Sequence, residues 1–173
     1  MESYPREIKK ALSHQVRVRL FEEGVPRIKK CLSELTEEEV WHRPNENLVS
    51  IGNLVLHLCG NVRQWLVAGL GGREDTRVRH LEFEEKGPIP SEKLIADLEK
   101  VMAEVEEVLQ DLQPEDLLAI RSVQGLFTES GISILVHVME HFSYHVGQIT
   151  WHTKQVKNID LGYYSGLELG GHG

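Results

Sequence analysis

His137, His141 and His145 follow one another at intervals of four in the segment His137-Val138-Met139-Glu140-His141-Phe142-Ser143-Tyr144-His145. In a helix each such step turns the chain by only about 40°, so the three imidazoles share one side. Residues at i and i+4 have Cβ atoms about 5–6 Å apart, from which two imidazoles reach one metal ion. Apolar neighbours turn part of this side inward, and a buried imidazole needs a partner, which a metal supplies. His57, set between Leu54 and Leu58, is the lone histidine of its own apolar segment and offers a third ligand. Three neutral imidazoles from two helices leave one coordination position open, as in catalytic rather than structural sites. A thiol bound there would lose its proton, and a water would have its pKa lowered towards neutrality.

The plainer readings stand beside this one. A His-x-x-x-His pair arises often by chance, and a single histidine on an apolar stripe is usually a core residue bonded to a carbonyl. Three histidines on faces that ought to meet favour the metal, with His57, His141 and His145 as ligands. His137 is the alternative to His145, but one helix seldom supplies three successive ligands, so His137 reads as a cavity-wall or supporting residue. His14, His42, His80, His152 and His172 read as surface, loop or helix-end histidines. Tyr144 and Gln148 read equally as groups that orient ligands or substrate and as ordinary interhelical hydrogen-bonding groups, and Asn61 and Gln64, one and nearly two turns beyond His57, are within reach of something bound at the metal. Glu140 points about 100° away from His141 and reads as exposed or salt-bridged. Trp41, Trp65 and Trp151 fit core packing by default and a pocket wall otherwise. Cys59, two residues from His57, falls on another face and is set aside as ligand and as nucleophile.

The elements that must position these residues are helical. Ile8, Leu12, Val16, Leu20 and Phe21 recur at spacings of three and four and predict a first helix over residues 5–33, with Gly24 and Pro26 able to kink or interrupt it. Thr36-Glu37-Glu38-Glu39 predicts a capped turn carrying Val40 and Trp41. Ser50 is the expected N-cap of a second helix running to about Gly69, which carries His57. Residues 73–88 read as a charged loop. Pro90-Ser91-Glu92 opens a third helix with a long stripe from Leu94 to Leu112. Residues 119–128 read as a loop or short extended piece, and a fourth helix is expected over 131–156. The glycine-rich tail at 161–166 is expected to pack on the bundle. Together these predict one all-α domain over 1–173, a four-helix bundle with connections long enough for crossovers.

The balance of 27 acidic to 19 basic residues, a net charge of −8, argues against nucleic acid and anionic membrane as partners. No apolar run is long enough to span a bilayer, and the N-terminal residues lack the apolar core of a signal peptide. A cytoplasmic protein is expected. In that compartment Cys31 and Cys59 read as buried apolar residues rather than a disulfide.

Two segments resemble the DinB/YfiT-like metal-binding bundles: Ser50-Ile51-Gly52-Asn53-Leu54-Val55-Leu56-His57-Leu58 and Leu135 to Ile149. The ending Tyr144-His145-Val146-Gly147-Gln148-Ile149 is similar to the family's usual Tyr-His-Arg-Gly-Gln-Ile, with Val146 where arginine is common. The resemblance implies a four-helix bundle, homodimers, and a three-histidine site for zinc, nickel or a similar ion at His57, His141 and His145. It also implies kinship with thiol-dependent S-transferases, a thiol-dependent isomerase and metal-dependent hydrolases.

The leading expectation is therefore a transferase in which the metal stabilises a low-molecular-weight thiolate for attack on an electrophile. Metal-assisted hydrolysis is the alternative, and it needs a carboxylate base that the sequence does not identify. A non-catalytic metal- or ligand-binding bundle is the third expectation, with an ion that ties the second helix to the fourth.

Overall fold

Apolar stripes at helical spacing become four long helices in the computed structural model, which describes residues 4–166. The first begins as α1 (Tyr4–Val16), widens into a π-helical segment (Arg17–Gly24) and continues as α2 (Val25–Glu34). Gly24 and Pro26 thus do not interrupt it. The wide turns come just before Pro26, which lacks the N–H an ordinary helix would use there. Gly24 has a packing role, because a Cβ on it would sit 2.5 Å from Phe142 Cε1.

After the short α3 (Glu37–Trp41), α4 (Ile51–Val62) extends through a second π-helical segment (Arg63–Leu70). Both starts carry the expected caps. Thr36 and Glu39 form a capping box, and Ser50 Oγ accepts from Asn53 N at 3.1 Å. Next come α5 (Arg79–Glu84), α6 (Ser91–Asp111), a 3-10 turn (Pro114–Leu117) and α7 (Gly131–Lys157). Between the 3-10 turn and α7, β1 (Ile120–Val123) pairs antiparallel with β2 (Phe127–Ser130). The hairpin turns at Gln124 and Gly125, whose φ angles of 58° and 66° are both positive.

The stripes meet in one core that includes Leu20, Ile28, Leu58, Leu66, Leu98, Val105, Leu135 and Phe142. α4 packs on α6 and α7, and α2 packs on α7. The tail packs too. Leu161 is buried, and the Tyr163 hydroxyl lies 3.2 Å from Cys31 Sγ and 3.0 Å from Thr150 Oγ1. Both cysteines are free and buried.

Two segments differ from the sequence reading. Residues 73–88 contain α5, which has no apolar stripe and is held by polar contacts to its backbone. Arg43 Nη2 donates to Phe83 O at 2.6 Å, and Asn53 Nδ2 donates to Glu82 O at 2.9 Å. His152 is 7% exposed rather than a surface residue. It lies one turn beyond Ile149 on the buried side of α7. His172 lies outside the described residues. Among those described, no helix is long and apolar enough to cross a membrane.

Candidate metal centre

α4 buries His57 with Leu54 and Leu58, and α7 carries His141 and His145 one turn apart. The three rings converge. Their centroids lie 5.0 Å apart for His57–His141, 4.9 Å for His57–His145 and 4.5 Å for His141–His145. One nitrogen from each falls within 4.8 Å of the other two. His57 Nε2 and His141 Nε2 are 3.2 Å apart, close to the roughly 3.3 Å separating two nitrogens on a tetrahedral ion.

The outward nitrogens decide which tautomer two of the rings adopt. His57 Nδ1 lies 2.9 Å from Glu82 Oε2, a carboxylate that can only accept, so Nδ1 donates and Nε2 turns its lone pair to the centre. Arg77 Nη2 also comes within 3.1 Å of His57 Nδ1, but it donates to the same Glu82 oxygen at 2.8 Å. Two donors thus share one acceptor. His145 Nδ1 lies 2.7 Å from Gln148 Oε1 and likewise donates outward. His141 Nδ1 is buried without a partner.

The electrostatics suit neutral ligands. Burial first, then the neighbouring His145, His57, His137 and Arg77, pushes His141 down to about 3. Burial also lowers His145, opposed by the hydrogen bond that it donates to Gln148. Burial by itself would raise the Glu82 carboxyl, but hydrogen bonds and charge from Arg77 and His57 outweigh it and hold the group below the ordinary range. The donor set, three converging imidazoles of which His57 and His145 turn the Nε2 lone pair inward, fits a divalent ion of the zinc type.

Glu82 and Arg77 escaped the sequence reading. Arg77 Nε donates to Glu82 Oε1 at 2.6 Å, and both side chains are almost wholly buried. Gly60 makes this approach possible, since a Cβ there would lie 1.9 Å from Glu82 Oε1. That glycine, in mid-helix three residues after His57, was the available signal.

The remaining candidates separate. His137 is not one of the converging group; it stacks on Trp65 at 3.7 Å and 24°, and Phe127 of β2 also meets the Trp65 ring, at 5.4 Å. Tyr144 meets the His145 ring at 5.0 Å. Gln64 sits behind the site, accepting from Arg77 Nη1 at 2.8 Å. Glu140 is exposed, as read. Trp41 packs over Gly52 and Gly87 and donates to Ile89 O, whereas Trp151 is 63% exposed, against the core-packing default. Burial pushes the Cys59 thiol up to about 12, which leaves it protonated and unreactive near neutrality.

The family described as "Protein of unknown function (DUF1572)" matches residues 10–165. The chain belongs to this family. Two solved structures share the fold of the DUF1572 chain, and one of them is described as DinB-like. A DinB-like protein from Bacillus cereus ATCC 10987 is 18% identical, with a TM-score of 0.59 over 79% of this chain and 87% of its own. A conserved protein from Enterococcus faecalis is 14% identical, with a TM-score of 0.69 over 88% of this chain and 98% of its own. At these identities the likeness is one of fold. No curated protein matches the DUF1572 chain.

Proposed function

We propose that this protein holds a divalent ion, zinc or nickel, through His57, His141 and His145, and that it is a transferase joining a low-molecular-weight thiol to an electrophile. One observation carries the reading. Glu82 and Gln148 pin two of the three imidazoles in the tautomer that offers Nε2 to a common point, and no fourth protein ligand joins the group among the described residues. A bound ion would supply the positive charge that stabilises a thiolate at the remaining position.

The chain's own residues do the rest. His57, His141 and His145 stay fixed, and burial keeps His141 and His145 neutral. A cavity of about 350 Å³, lined in part by Leu48, Leu54, Tyr144 and Trp151, adjoins the site at Gln148, which accepts from the outward nitrogen of His145, and its lining suits the apolar part of an electrophile. The new bond joins the thiol sulfur to the electrophilic atom, the leaving group departs with its electron pair, and the thiol proton passes to solvent. Hydrolysis is less well supported, because it needs a free base. The carboxylate beside the cluster, Glu82, is already engaged by Arg77 and His57.

The test is conjugation of several thiols to a chromogenic electrophile, with protein stripped of metal and reloaded. Turnover that appears only on reloading supports the transferase. If metal is bound and chelation lowers thermal stability, yet no thiol gives turnover, the protein is a non-catalytic metal-binding bundle.

A further inference from the structure

Asn61 lies one helical turn beyond His57 and one turn before Trp65. It is 4% exposed, yet its Oδ1 has no hydrogen-bond partner among the described residues. The direction it faces follows from its neighbours. His57 meets His141 and His145 across the interface with α7, while Trp65 stacks on His137. The two helices therefore run antiparallel here, and Asn61 is level with the turn of α7 from His137 to His141. That same turn carries two further buried atoms without partners, His137 Nε2 and His141 Nδ1. The other such atoms among the described residues are the hydroxyls of Ser13 and Ser91, on other helices.

A buried carbonyl oxygen without a donor forfeits its hydration and gains nothing from the fold. A leucine, which has the same branched shape, would avoid that cost, and Leu58 and Val62 beside it are buried apolar residues already. The fold has no use for this amide, so its use lies in what the site binds. We propose that Asn61 contacts the ligand held beside His57, His141 and His145, and that its Oδ1 accepts a hydrogen bond from an N–H or O–H group of that ligand. This assignment rests on the metal reading above and narrows it. The favoured thiols carry a hydrogen-bond donor within two or three bonds of sulfur, a reach matched to one helical turn between Asn61 and His57.

The experiment uses the full chain loaded with cobalt, whose visible absorption reports thiol binding. Titrations with 2-mercaptoethanol and with ethanethiol compare a thiol that has a donor with one that lacks it. Wild type binds 2-mercaptoethanol about tenfold more tightly, the worth of one hydrogen bond from an otherwise unpaired group. Asn61→Leu and Asn61→Ala keep their cobalt content and lose the preference, and metal-free Asn61→Leu melts at a higher temperature than metal-free wild type. The inference is overturned if both variants keep the preference, or if Asn61→Leu melts lower because the amide is bonded within the fold. Wild type that binds cobalt but shows no preference also overturns it while leaving the metal site standing. Wild type that binds no cobalt overturns both.

Discussion

Asn53 and Asn61 lie two turns apart on α4, and both are buried. Asn53 Oδ1 accepts from Ser50 N at 3.1 Å, Ser50 Oγ at 2.7 Å and Arg43 Nη2 at 3.0 Å, and its Nδ2 donates to Glu82 O at 2.9 Å and Glu85 O at 2.8 Å. Asn61 Oδ1 has no partner. The same side chain in the same helix thus does opposite things. At the start of α4 the amide joins the cap to α5 and so fixes where Glu82 stands. Two turns later, beside the three histidines, the amide is left open. Satisfied polar groups build the Asn53 end of α4, whereas three of the five unsatisfied buried side-chain atoms among the described residues gather beside the histidines.

Breaking the satisfied end should have the largest effect. Asn53→Leu strands Ser50, Arg43 and the carbonyls of α5, and should cost about 3 kcal/mol or more in chemical denaturation. It should also weaken metal binding by releasing Glu82. Loss of less than about 1 kcal/mol would mean that α5 is held by something else. Gly60→Ala and Glu82→Gln act on the link between the two ends. Each should weaken metal affinity by roughly 10- to 100-fold in competition with a chelator; an unchanged affinity would remove Glu82 from any role at His57.

A pH titration of the metal-free protein sharpens the contrast further. His141 has a folded pKa of about 3, below the unfolded value near 6.5. Between these values the unfolded chain binds the extra proton, so stability falls as pH drops from about 6.5 towards 3. His141→Gln should flatten that slope in urea melts at successive pH values. The smallest effect belongs to a pair that is satisfied but solvated: Arg17 Nε donates to Glu106 at 2.8 Å with both side chains about one-third exposed. Arg17→Ala should cost about 0.5 kcal/mol and leave metal content unchanged.

Periodicity and caps made the bundle and the three converging histidines legible in the sequence. Each histidine sits within an apolar stripe whose partner face is another such stripe. Glu82 and Arg77 were not legible, because α5 is held by side chains that bond to its carbonyls, and such contacts leave no repeat. The hairpin was half-legible, since Gly125 marks its turn but the strands are only four residues each. The π-helical segments left no mark that a 3.6-residue period would show. Trp151, read as core by default and pocket wall otherwise, falls on the outer side of α7 and lines a cavity, whereas His152, read as a surface, loop or helix-end residue, falls on the buried side.

The central claim is that His57, His141 and His145 hold a divalent ion. Metal analysis of the untagged protein beside a His57→Ala, His141→Ala double variant tests it most directly. The account predicts about one equivalent of zinc or nickel in the wild type and none in the variant, with both chains folded. Wild-type protein that takes up no ion even when zinc and nickel are supplied would contradict it, and the three imidazoles would then be buried hydrogen-bonding groups of a structural bundle.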